Sequence, residues 1–202
     1  MRGVVVIGGS AGSMASCRQI LQHLPTTFAL PLAVVIHAHP SQDDQRLEIL
    51  RQDCLLAVMD VVSAMQLTLG TVFFAPPNYH LMVEADNTLI LTVDEKVNFS
   101  RPSIDVLFES AADAFGGSAI GIVLSGANND GAWGLKAIAD AGGLAIIEDP
   151  TLATVDEMPR AALEMVPKAL VLPANEIGPF LLRHASTLGP QPAAGTTQRN
   201  AP

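Results

Sequence analysis

Apolar residues along this chain follow two alternating rhythms. Val4–Ile7 and LAVVIH (Leu32 to His37) are short apolar runs almost free of polar residues, as expected for strands buried on both faces. Between them, Met14 to Leu24 places Cys17, Ile20, Leu21 and Leu24 at helical spacing and stops at Pro25. Arg46 to Gln52 reads as a second helix and AVMDVV from Ala57 as a third strand. Strand and helix in alternation predict a parallel sheet covered by helices.

The middle of the chain departs from that rhythm. TVFFAP, HLMVEA and TLILTV are strand-like runs separated by Pro76–Pro77–Asn78 and by Asp86–Asn87. The second break is a turn signal, so a small antiparallel hairpin addition is predicted here. Helical spacing returns in SIDVLFESAADAF, where Ile104, Leu107, Phe108, Ala111, Ala112 and Phe115 share a face and Ser103 is placed as N-cap. AIGIVLSG then reads as a central strand, Ala132 to Ala141 as a helix, LAIIE as a strand, Pro159 to Glu164 as a helix and ALVL as a last strand. Ile177 to Leu188 closes the fold as a helix. The expected class is α/β: a three-layer, doubly wound, mostly parallel sheet of Rossmann-like type. Residues 1–188 form one domain, and the Pro/Gly/Thr-rich segment 189–202 is expected to be disordered.

Composition narrows the function classes. The formal charge of -9, with Lys and Arg nowhere clustered, argues against a nucleic-acid partner. No apolar stretch approaches the ~20 residues that a bilayer requires, and the first strand is too short for a signal peptide. A cytoplasmic protein is expected, with no membrane insertion. Cys17 and Cys54 lack metal or redox spacing and read as buried thiols. No cofactor is predicted: dinucleotide and P-loop fingerprints are absent, and no metal-ligand spacing occurs.

Candidate chemistry lies where polar residues follow strands, because ligands of parallel α/β sheets bind beyond the strands' carboxyl ends. Ser10 follows the first strand, His37 and His39 the second, and Asn128, Asn129 and Asp130 the strand Ala119–Leu124. Serine, histidine and aspartate on one edge are the parts of a nucleophilic hydrolase. Gly8–Gly9–Ser10–Ala11–Gly12 also fits G-x-S-x-G, a sharp turn that exposes the hydroxyl and aims nearby amides at it. Each residue alone has a plainer role. Gly/Ser clusters make ordinary turns, His37 can be a hydrogen-bonded strand end, and Asp130 can cap the helix from Ala132. The conjunction on one edge carries the catalytic reading. The order Ser…His…Asp differs from that of the α/β-hydrolases.

VVVIGGSAGS, VVIHAHP, RPSIDVLFESAADAFG, GIVLSGANNDGAWGLKAI and EMPRAAL, in that order, resemble the catalytic domain of the bacterial chemotaxis receptor methylesterases (CheB type). The similarity runs from about Val4 to Leu182. It implies a serine hydrolase that removes methyl esters from receptor glutamates and in some members deamidates glutamine. It implies Ser10 as nucleophile, His37 as general base and Asp130 as the residue orienting the imidazole. Ala11, Gly12, Ala127, Asn128 and Met158 fall at oxyanion or substrate-binding positions. Met158 reads better as a core residue ahead of a helix that starts at Pro159. His39 is the local rival of His37, which matches the family position. Implied partners are methylated chemoreceptor signalling helices, with a receptor methyltransferase or a separate response regulator as further candidates.

The resemblance is incomplete around the triad. Ser10–Ala11–Gly12–Ser13 stands where the family often has S-T-G-G, and Ile36 where glutamine commonly precedes the histidine. Ala127 and Asn128 replace methionine and glycine in T-G-M-G-N-D-G. The chain begins at the first strand of the catalytic domain, with no receiver before it. That leaves a stand-alone esterase or a piece of a longer protein. The alternatives are an esterase or amidase on another substrate, and a catalytically weak binding module for receptor or methyltransferase.

Overall fold

A computed structural model describes residues 3–37 and 43–187. The predicted tail from Gly189 and the rival histidine, His39, lie outside those residues. The chain runs β1 (Val4–Gly9), α1 (Ser13–Leu21), β2 (Leu32–Ile36), α2 (Asp43–Asp53), β3 (Ala57–Asp60), β4 (Met65–Gln66), β5 (Thr71–Phe74), β6 (His80–Val83) and β7 (Thr88–Thr92). It continues with α3 (Ile104–Phe115), β8 (Ala119–Val123), α4 (Ala132–Asp140), β9 (Leu144–Glu148), α5 (Glu157–Met165), β10 (Leu170–Leu172) and α6 (Ala174–Thr187).

Seven strands form one sheet in the order β10-β9-β8-β1-β2-β5-β3, and every neighbouring pair is parallel. From β1 the chain builds outward through β2, then returns to the other side of β1 with β8. The switch point therefore lies at β1, between β2 and β8, where the crevice of a doubly wound sheet opens.

Two apolar layers sandwich the sheet. Val4 and Val6 face the layer of α3, α4 and α5, while Val5 and Ile7 face α1 and α6. This period-two division explains why β1 carries no polar residue: both of its faces are core. Cys17 is buried and Cys54 half-buried, and both are free thiols. Desolvation, and then the neighbouring Cys54, push the Cys17 thiol far above the ordinary range.

The middle of the chain differs from the pattern-based expectation in one respect. β5 joins the parallel sheet between β2 and β3, while β4 joins the β6–β7 hairpin to make a three-stranded antiparallel sheet. A two-residue strand has too little sequence to announce itself. β5, buried along its whole length, is apolar on both faces because helices and the small sheet leave it no solvent side. Among the described residues, no helix is long and apolar enough to cross a membrane.

One close approach decides how α3 meets the switch point. A Cβ on Gly8 would lie 2.2 Å from Ile104 Cγ2, and one on Gly131 (φ 94) would lie 2.5 Å from the same atom. The first residue of α3 is thus wedged between the end of β1 and the start of α4, which no side chain at either glycine would permit. Gly8→Ala is expected to lower stability by about 1–3 kcal/mol through overpacking, measured by equilibrium urea denaturation.

Candidate active site

Ser10 is the first residue beyond β1. Its N–H donates to the Ser125 carbonyl (2.9 Å), and its own carbonyl accepts Ser13 Oγ (2.7 Å) and Ser13 N–H (3.1 Å). Ser13 is therefore spent on closing the turn. Gly12, at φ 83, caps α1 in the left-handed region, where a Cβ would strike Thr154 at 2.6 Å. Ser10 is half-buried, while Ala11 and Gly12 are exposed.

His37 is the first residue beyond β2, and its N–H donates to the Gly9 carbonyl (2.9 Å). This continues the register in which Gly9 pairs with Ile36. Ser10 and His37 thus leave adjacent strands side by side, about one strand spacing apart in the backbone.

Asp130 lies past β8 and is 0% exposed. Its Oδ2 accepts His37 Nε2–H (2.9 Å) and the Ile104 amide (2.7 Å). Its Oδ1 accepts Ser103 Oγ–H (2.8 Å), Asn98 Nδ2–H (3.1 Å) and the Asp105 amide (3.2 Å). Burial pushes this carboxyl up, but the bonds from His37, Ile104 and Ser103 outweigh it and hold the pKa below the usual carboxylate value. An ionised carboxylate only accepts, so Nε2 carries the proton and Nδ1 keeps the lone pair.

The capping arrangement differs from the one read in the sequence. Asp130 does not cap α4, and Ser103 gives its hydroxyl to Asp130 rather than to α3. The two helices exchange carboxylates instead. Asp130, just before α4, takes the first amides of α3, while Asp105 Oδ1, in the first turn of α3, takes the Gly131 (2.9 Å) and Gly134 (2.7 Å) amides. Asn98 Nδ2 bridges the two carboxylates, reaching Asp105 Oδ2 at 2.8 Å. Desolvation raises the Asp105 pKa to about 6; the Gly134 amide works against this, and the Asp130 charge adds to it. The Ser103 amide donates to Nδ1 of buried His80, whose Nε2 donates to the Glu95 carbonyl (3.0 Å). Asp105 had one sequence signal, an acid in the first turn of an apolar helix. Asn98 had none.

On the far side of Ser10, a buried glutamate performs a similar service. Glu148, at the end of β9, accepts Ser16 Oγ–H (2.6 Å), the Ser125 amide (2.7 Å) and Ser125 Oγ–H (3.1 Å). It ties α1 to the loop whose carbonyl holds the Ser10 amide. In the sequence, Glu148 is marked only as the end of the strand LAIIE.

Two residues expected at the substrate surface do other work. Met158 is 1% exposed and fills the space beneath Gly126, its Cε 2.6 Å from where a Cβ there would stand. It supports the loop from below, as the core reading had it. Asn128 Oδ1 accepts the Asp130 amide (3.1 Å), so its carbonyl shapes the loop that delivers the carboxylate. Ala127 is exposed, like Ala11. The Ser10 and Gly126 amides are already bonded to the Ser125 and Val155 carbonyls.

Above the Asp130 carboxylate stands the turn 97–100, where Val97 and Ser100 exchange backbone hydrogen bonds (3.2 and 2.8 Å). Both central residues are left-handed, Asn98 at φ 50 and Phe99 at φ 61. Phe99 is 97% exposed. A bulky residue held there costs roughly 1–3 kcal/mol.

Residues 5–181 match the family profile of the CheB methylesterases. The chain belongs to the CheB methylesterase family. It is 42% identical over 179 residues to a Leptospira interrogans protein provisionally named protein-glutamate methylesterase/protein-glutamine glutaminase, covering 89% of this chain and 93% of that protein. It is 33% identical over 180 residues to the Myxococcus xanthus protein-glutamate methylesterase FrzG, covering 89% of this chain and 54% of that one. The Thermotoga maritima CheB methylesterase catalytic domain superposes with a TM-score of 0.86 at 30% identity, covering 90% of this chain and 98% of that structure. The CheB fold thus accounts for both sheets described above.

Asp130→Ala is expected to lower stability by about 2 kcal/mol, because α3 loses its cap and buried donors lose their acceptor. Ser10→Ala, whose hydroxyl holds none of these bonds, stays within about 0.5 kcal/mol of the wild type in the same urea titration. Asp105 works in the opposite sense with pH. Its folded pKa, about 6, exceeds the unfolded value near 3.9, so its contribution is full below about pH 4 and is lost as pH rises through 6. Asp130, with its pKa lowered, loses its contribution only in more acid solution. Between pH 4.5 and 7, the stability of Asp105→Asn relative to wild type should therefore rise; a constant difference would refute the assignment.

Proposed function

We propose that this chain is a protein-glutamate methylesterase that hydrolyses glutamyl methyl esters on chemoreceptor signalling helices through Ser10, His37 and Asp130. The observation that carries the reading is the hydrogen bond from His37 Nε2 to the ionised, buried Asp130 (2.9 Å), in a histidine whose backbone lies beside the Ser10 turn. Family membership supplies the reaction type. Relatives named for both activities supply glutaminase action as a companion reaction, with ammonia leaving in place of methanol.

The reaction follows from the tautomer. His37 Nδ1, the nitrogen turned away from Asp130, takes the proton as Ser10 Oγ attacks the ester carbonyl. Asp130 stays ionised and stabilises the imidazolium that forms. Charge on the carbonyl oxygen is met by backbone amides of the two exposed turns, at Ala11 and Ala127, near the positive end of α1. The imidazolium protonates the departing methoxide, releasing methanol. Water, deprotonated by the same nitrogen, then cleaves the acyl–serine bond and frees the glutamate carboxylate. Action on receptor signalling helices places the protein in the cytoplasm, with the receptor as its partner.

Methanol release from methylated receptor helices tests this directly. Ser10→Ala and His37→Ala should each lose at least about 10³-fold in kcat, and the double variant no more than either alone, because the pair acts as a unit. Retention of most activity by Ser10→Ala would remove the mechanism.

A further inference from the structure

We infer that Phe99 is a specificity residue: it receives an apolar side chain of the polypeptide that carries the ester, and so favours protein-borne esters over small ones. This deepens the reading above and rests on it.

Phe99 stands in the wrong place for stability. A two-residue turn with positive φ at both centres is the kind that takes Asn-Gly. Asn98 suits the first position, but Phe99, at φ 61, stands where glycine belongs. Among the described residues, the other non-glycine residues in this region, Asn78 and Asn87, are of a type that tolerates it. Nothing about folding rewards the exception, since the Phe99 ring is 97% exposed and buries almost no apolar area. A strained conformation that persists without a packing return points to use in recognition.

The turn is also fastened to the chemistry. Asn98 Nδ2 donates to Asp130 Oδ1 and Asp105 Oδ2, so Phe99 follows directly a residue that touches the carboxylate beneath His37. Arg101 Nη1 donates to the Val93 (2.7 Å) and Asp94 (2.9 Å) carbonyls and closes the base of the loop. A second exposed aromatic, Trp133 (58% exposed), lies in the first turn of α4, whose Gly131 and Gly134 amides bond to the same Asp105. Both aromatics therefore ride on elements anchored to the Asp105–Asp130 pair.

The order of contacts decides what Phe99 can meet. His37 and Asn98 donate to opposite oxygens of the Asp130 carboxylate, and Phe99 is the next residue after Asn98, so Phe99 belongs to the surround of the site and not to the Ser10 turn. The apolar contact must come from the rest of the substrate. Exposed aromatics held rigidly are the side chains that make such contacts most effectively.

The test compares kcat/KM for methylated receptor helices and for p-nitrophenyl acetate in wild type, Phe99→Gly and Phe99→Leu, with Tm and sedimentation measured alongside. Glycine is the residue the turn prefers, so Phe99→Gly should keep or raise Tm. Its protein-to-small-ester selectivity should fall about tenfold, through KM, and Phe99→Leu should restore most of it. Unchanged selectivity in Phe99→Gly, with wild-type methanol release intact, would overturn this inference alone. A wild-type dimer that Phe99→Gly dissolves, again with selectivity unchanged, would overturn it in favour of self-association. A wild type that turns over the small ester but frees no methanol from protein would overturn the proposed substrate, and this inference with it.

Discussion

The site depends on one buried carboxylate and on what keeps it charged. Asp130 is out of contact with water, and an isolated ion there would take up a proton. It remains ionised because two amides at the start of α3, the Ser103 hydroxyl, the Asn98 amide and the His37 ring all donate to it. A helix N-terminus is suited to this task, since its first amides lack partners and its dipole favours an anion. The bonds that stabilise α3 and the charge that orients His37 are one interaction.

That arrangement requires α3 to arrive close to the end of β1, and the means are steric. Gly8 and Gly131 clear the space that Ile104 occupies. Asp105 then repays α4 for the carboxylate it gives away. The pair of acids is also unequal: one ionises readily, and the other is pushed up to about 6 by burial and by its neighbour. Two carboxylates bridged by one amide cannot both hold full charge at no cost.

The nucleophile side is built by the same logic with different parts. Glu148 is buried and gathers donors from α1 and from the loop after β8, and that loop's Ser125 carbonyl receives the Ser10 amide. Met158 supports the loop from beneath. Ser10 and Asp130 are therefore held by separate acidic anchors, one under each end of the 125–131 segment. Exposed between them are Ala11, Gly12, Ala127 and Asn129.

Local pattern was enough to place the longer strands, because a run such as Val4–Ile7 calls for two covered faces. It was enough to put Ser10, His37 and Asp130 on one edge, since each follows a strand of a parallel sheet. The motifs around them carried the family. Tertiary structure alone decided the rest. Whether β5 joined the large sheet or the small one depended on which neighbours had free edges, and that is not written in four residues. Which helix each aspartate capped was open as well, because an acid beside a helix start can serve its own helix or the next. Asn98, Glu148 and Met158 gained their roles only when segments far apart in the chain met around the switch point. Sequence records which groups need partners; only the packed fold determines which partners they find.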